Sequence, residues 1–241
     1  MLVAFTVNTS AMAFATNDDR IDDYLNTLTT ASIDDKEEML NRLQWSGLTD
    51  ARLYDDIENR VKSQYLERNL DKKQLNLVSY QVRALGYSGN EKYRATITLV
   101  SNSAASSKLK RHAKKAKADL NNFIAWNKLV ADSTLEVEGK SAEVTTYMKM
   151  LNVNDFFVQR LAARAIYHEN KTDTDLLDLA AEKLKILYLK AELSGEWQDT
   201  AAWLCKAIGQ SGEQKYIKFL VEVNDKTPYN KIRKYAKKYM R

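Results

Sequence analysis

The sequence predicts an all-α protein, an α-solenoid of about six helical hairpins, and three observations lead there. Turn formers are scarce, with seven Gly and one Pro in 241 residues beside abundant Leu, Ala, Lys and Glu. Such a composition favours helices joined by short connections over sheets with many tight turns. Apolar residues recur at helical spacing along the chain. The chain also matches itself, without a gap, at an offset of 123 residues.

The self-match rests on two blocks in one register. Leu85 to Tyr93, LGYSGNEKY, meets Ile208 to Tyr216, IGQSGEQKY, and Lys108 to Lys115, KLKRHAKK, meets Lys231 to Lys238, KIRKYAKK. Upstream, Leu53, Asp55, Lys62, Tyr65, Leu66 and Leu70 meet Leu176, Asp178, Lys185, Tyr188, Leu189 and Leu193. One block arises by chance more readily than two in the same register, so an internal duplication is expected. Residues 21–119 then make a first unit and 143–241 a second. Residues 120–142, with Phe123, Trp126 and the polar run Glu138 to Ser141, are the linker between them, expected to be part helical.

Within each unit six helices are expected, near residues 21–30, 33–45, 50–69, 73–86, 91–102 and 107–119, and again 123 further on. Tyr24 of the first helix meets Tyr147. The second helix ends at Gly47, whose counterpart is Asn170; these two residue types tolerate the left-handed conformation that closes a helix. Thr49-Asp50 and Thr172-Asp173 follow as cap candidates for the third. That helix carries the stripe Leu53, Ile57, Val61 and Tyr65, echoed by Leu176, Ala180, Leu184 and Tyr188. Gly86 and Gly209 are read as closing the fourth. Tyr93, Ile97 and Val100, echoed by Tyr216, Leu220 and Val223, mark the core face of the fifth. Leu109, His112 or Ala113, Ala116 and Leu120 mark the sixth, and Thr227 before Pro228 suits its second start. Six helices in one unit make three hairpins of about 41 residues, within the span of HEAT or armadillo repeats.

The phrases Ala84 to Gly89, ALGYSG, and Ala207 to Gly212, AIGQSG, resemble the helix end, short turn and next helix of bacterial HEAT-like units, including those related to phycobilisome-lyase repeats. Leu43 to Asp50, LQWSGLTD, similarly resembles exported bacterial HEAT proteins. The resemblance implies a curved scaffold for another macromolecule.

The formal charge of +5 is modest and says more about solubility than about a partner. Its distribution says more. Acidic side chains dominate from Asn17 to Arg60, whereas Lys226, Lys231, Arg233, Lys234, Lys237, Lys238 and Arg241 close the chain without an acid among them. The candidate site residues for an anionic partner are therefore Lys108, Arg111, Lys114 and Lys115, with Lys231, Lys234, Lys237 and Lys238. They form one cationic ridge per unit. The alternative is a solvated helix face whose late cations complement the helix dipole.

Signals for chemistry are poor, and neither a catalytic residue nor a cofactor or metal is expected. His112 and His168 do not occupy equivalent positions and sit in no metal-binding pattern. Cys205 is the single cysteine; it lies on an apolar stripe and reads as an inert buried thiol. No phosphate-cradling glycine loop or nucleophile elbow is present. The first fifteen residues, MLVAFTVNTSAMAFA, end in two A-x-A patterns and read like a secretory signal peptide without its leading cation. The other reading of them is an ordinary first helix or a frayed terminus.

The function expected is a non-catalytic, exported scaffold, periplasmic or secreted, that binds a protein partner. The alternative is a nucleic-acid-binding HEAT protein resembling the alkylpurine-glycosylase type, gripping phosphate through the two ridges. A chromophore-lyase reading rests on the repeat resemblance alone.

Overall fold

The computed structural model describes residues 16–135 and 137–240, so the signal-peptide reading of residues 1–15 lies outside the described residues. Among these the chain is all-helical. The helices are α1 Asn17–Thr30, α2 Ile33–Ser46, α3 Ala51–Gln64, α4 Lys72–Tyr87, α5 Arg94–Ser103 and α6 Ser107–Ala131. They continue with α7 Ala142–Asn152, α8 Phe156–His168, α9 Thr174–Tyr188, α10 Gly195–Gly209, α11 Gln214–Lys226 and α12 Asn230–Lys238.

Local chemistry places their ends. Asp50 and Asp173 cap α3 and α9 through bonds accepted from Arg52 N and Leu176 N, filling donors that a helix start leaves open. Thr16 and Asp71 form reciprocal capping boxes with Asp19 and Gln74. After α2 and α8 the backbone turns left-handed at Gly47 (φ 70°) and Asn170 (φ 49°), the two positions that capping chemistry singles out. Thr227 ends α11, and α12 begins at Asn230. Thr227 is thus a stop rather than a start.

Gly86 and Gly209 do not close helices by conformation; they lie inside α4 and at the last residue of α10. The left-handed turns come three residues later, at Gly89 (φ 59°) and Gly212 (φ 69°). What Gly86 supplies is proximity. A Cβ there would stand 2.5 Å from the Ala116 carbonyl oxygen, and one at Gly209 would stand 2.5 Å from Tyr239 Cβ. Ala116 and Tyr239 are themselves 123 positions apart.

The expected stripes are buried. Leu53, Ile57 and Val61, their counterparts Leu176, Ala180 and Leu184, and both Tyr93 and Tyr216 sit in one continuous core. Each of the last two tyrosines donates its hydroxyl to an aspartate on the preceding odd-numbered helix, Tyr93 to Asp55 (2.9 Å) and Tyr216 to Asp178 (2.8 Å). Lys92 and Lys215 hold the same two carboxylates at 2.7 and 2.8 Å.

The even-numbered helices pack side by side in two runs, α2, α4, α6 and α8, α10, α12, while the odd-numbered ones cover them. The runs meet through α2 against α8. The even layer therefore reads α6, α4, α2, α8, α10, α12. Helix α6 continues through Ala131, so the first half of the 120–142 stretch is helical. Its tail reaches the joint, where Trp126 stacks on Phe157 of α8 at 3.9 Å between ring centres.

Candidate functional site at the joint of the two runs

The joint is built from α1, α2, α7, α8 and the turns after α2 and α8. At its centre, residues 123 positions apart touch each other. Trp45 stacks on His168 at 5.1 Å with 14° between the rings. Arg20, fully buried, lies 3.4 Å from Glu143. A self-complementary contact of this kind is what an approximate two-fold relation between two similar surfaces produces.

Around this centre the buried charges are closed among themselves. Arg20 also donates to the Ser46 carbonyl (2.9 Å) and to Asn17 (3.1 Å). Lys171 bridges Glu143 and Glu169, and Tyr147 donates to Glu169 at 2.7 Å. Burial, then the charge of Glu169, holds the Tyr24 and Tyr147 hydroxyls well above the ordinary phenol range. Both stay neutral, and Tyr147 is a donor.

On one side of the centre opens a cleft of ≈ 1010 Å³. Asp23 and Thr27 of α1, Asp35 and Glu38 of α2, and the turn Asn170 to Thr172 form much of its wall. On the other side is a cavity of ≈ 200 Å³ lined by Thr146 and Met150 of α7, Val158 and Leu161 of α8, and the Gly47–Thr49 turn. Phe123, Trp126 and Val130 of α6 complete it.

Beside the joint runs a chain of cations and rings. Arg164 lies 4.7 Å over Trp45 and 5.5 Å over Trp203, and Lys206 lies 3.4 Å over Trp203 and 4.3 Å over Tyr167. Such contacts contribute roughly 0.5–2 kcal/mol each, depending on desolvation. His168 packs into this group, and its pKa is lowered by burial and by Arg164, Lys206 and Arg42. Cys205 is fully buried, and burial pushes its thiol up, away from the reactive thiolate.

The sequence-predicted site residues lie elsewhere. Arg111, Lys114 and Lys115 on α6, and Lys231, Lys234, Lys237 and Lys238 on α12, are exposed; Lys108 is half-buried and bonds Asn76 of α4. Lys231 pairs with Asp199 of α10. Leu109, Ala113, Ala116 and Leu120 are the buried face of α6, with Ala113 rather than His112 in the stripe. The two ridges stand at opposite ends of the even-helix row, five helix steps apart. The fold does not bring them together. The acidic residues of the joint were legible only as a charge run, and the one sequence signal for the ion pair is the opposite charge of Arg20 and Glu143 in register.

Among the described residues no helix is long and apolar enough to cross a membrane, and no group of three or more His, Cys, Asp or Glu is placed to hold a metal ion. No family model matches this chain, and no curated protein matches it. Among solved structures, human deoxyhypusine hydroxylase in complex with glycerol is similar at 13% identity over 91% of this chain and 83% of that chain, with a TM-score of 0.33. That neighbour is by its name an enzyme, which runs against the expectation of a non-catalytic chain; a likeness this slight brings no activity to the present chain.

Proposed function

We propose that the chain is a HEAT-type α-solenoid of two duplicated three-hairpin units, and that it acts by receiving a protein partner in the cleft where the units meet. The duplication is supported by features recurring 123 residues apart: the left-handed turns, the Asp50 and Asp173 caps, and the Tyr93 and Tyr216 clamps. The single observation that carries the binding reading is the ≈ 1010 Å³ cleft at the joint. It is walled mainly by polar side chains, which suits a polypeptide surface.

The cationic ridges support a nucleic-acid reading less well, because they form two separated patches rather than one track. Export belongs to the same proposal and rests on the A-x-A patterns of the first fifteen residues.

Site-specific photo-crosslinking tests the binding reading. A benzoylphenylalanine at Thr27, inside the cleft, is expected to capture a protein partner in native cells, whereas one at Lys114 on the ridge captures none or captures nucleic acid. Crosslinks to nucleic acid from Lys114 with none from Thr27 would overturn it.

A further inference from the structure

The cleft and the smaller cavity are lined by matching positions. Asn170, Thr172, Asp23, Thr27, Asp35 and Glu38 of the cleft stand 123 residues from Gly47, Thr49, Thr146, Met150, Val158 and Leu161 of the cavity. They are two versions of one groove. One version is filled by a helix. The tail of α6 lays Phe123, Trp126 and Val130, spaced i, i+3 and i+7, over Met150, Val158 and Leu161. Spacing of that kind sets three side chains on one helix face.

Among the described residues no helix fills the other version, and its chemistry has changed. Where the filled groove has Thr146, Val158 and Leu161, the open one has Asp23, Asp35 and Glu38. Six carboxylates and three cations line it. The cations are committed: Arg42 to Glu38, Lys140 to Asp173 and Asp175, Lys171 to Glu143 and Glu169. Asp23 and Asp35 have no cationic partner among the described residues. The turn has changed too. A Cβ at Gly47 would stand 2.3 Å from Thr146 Cγ2, so that side is drawn tight, while Asn170 carries a side chain.

From this we infer that the open groove takes one α-helical segment of a partner protein, bearing Lys or Arg at i, i+3 and i+7 where α6 bears Phe123, Trp126 and Val130. The inference rests on the binding reading above and adds the chemistry of the partner. Lys or Arg stems would cover Thr27 and the groove wall while their heads pair with Asp23, Asp35 and Glu38.

The test uses the full chain and three synthetic helix-stabilised peptides with Lys, Gln or Leu at those three positions, followed by fluorescence anisotropy at low and physiological salt. The Lys peptide is expected to bind at low salt and to weaken as salt screens the pairs. The exposed triple variant Asp23→Asn, Asp35→Asn, Glu38→Gln should weaken it about tenfold, with an unchanged helical circular dichroism spectrum. The ridge variant Arg111→Gln, Lys114→Gln should bind it as the parent does. Equal binding of all three peptides, a preference for the Leu peptide, no binding at all, or self-association of the chain that the triple variant abolishes would each overturn the inference. A Thr27 crosslink to a protein together with no Lys-peptide binding would remove the proposed partner chemistry alone and leave the binding reading standing.

Discussion

Trp45 and His168, one from each side of the joint, lie face to face with their ring centres 5.1 Å apart. The stack closes the contact between α2 and α8, and Arg164 lies on the same indole, 4.7 Å from its centre. Trp45 is 3% exposed, so truncation leaves a cavity that the packed helices refill only in part. Trp45→Ala is expected to cost about 3–5 kcal/mol, read by urea denaturation. His168→Phe keeps a ring in the stack and is expected to change stability by less than about 1.5 kcal/mol. Similar losses from both would show that the ring itself is not what matters.

Gly86→Ala separates propensity from packing. On an open helix face that exchange is worth up to about 1 kcal/mol in favour of Ala. Here the new methyl group meets the backbone of Ala116, 2.5 Å away at its carbonyl oxygen and 2.9 Å at its Cα, and backbone cannot step aside. A net loss of about 1–3 kcal/mol is expected. Gly209→Ala meets Tyr239 at Cβ and Cγ, each 2.5 Å away and tied to the backbone rather than at the free end of the side chain, and a loss of the same order is expected. Chemical denaturation of the two variants measures both losses, and a stabilised Gly86→Ala would refute the packing argument.

Stability should fall as the solution is acidified below neutrality, before Asp55 and Asp178 contribute. Burial and the charges of Arg83, Lys108, Arg111 and Lys115 push His112 down to about 4 from its ordinary 6.5. Its Nδ1 is buried without a partner. The unfolded chain therefore takes up the proton first as pH drops, so the stabilisation is complete above about 6.5 and is lost towards 4. His168 is shifted in the same direction. Asp55 and Asp178, held below their ordinary 3.8 by hydrogen bonds from Lys92 and Lys215, lose their contribution only below that value. Melting temperatures from pH 7 to 4 are expected to decline, with a shallower decline in His112→Gln. An identical profile for the variant would exclude His112 as a source of it.

The ridges should prove dispensable to the fold. Arg111, Lys114, Lys234 and Lys238 are exposed, outside the stripes of Leu109, Ala113, Ala116, Ile232 and Ala236. Replacing the four by Gln is expected to move stability by no more than about 0.5 kcal/mol. Binding to duplex DNA should be weak and vanish near physiological salt. Were each cation to neutralise a phosphate, the four substitutions would flatten the salt dependence by about 0.9 in slope apiece. Tight binding at physiological salt, abolished by the four, would favour the nucleic-acid reading.

The positions of most helices, and the buried faces of the third, fifth and sixth, were legible in the order of the amino acids; the end of α6, expected near residue 119, was not. Helix caps and periodic stripes are local, so Asp50, Asp173, Gly47 and Asn170 could be assigned their places from neighbours a few residues away, and the buried faces of α3, α5 and α6 from spacing alone. Only the tertiary structure decided what those faces meet. In sequence Gly86 and Gly209 read as helix ends, but the approach of Ala116 and Tyr239 decides that they must lack a side chain. The Asn17 to Arg60 charge run reads only as an excess of acid until α2 packs on α8; that contact sets Arg20 against Glu143 and opens Asp23, Asp35 and Glu38 onto a cleft. The same contact sends the two cationic ridges to opposite ends of the row. The pairing of α2 with α8 is a long-range one, made by the shape and charge of whole surfaces, and no short window of sequence contains both partners.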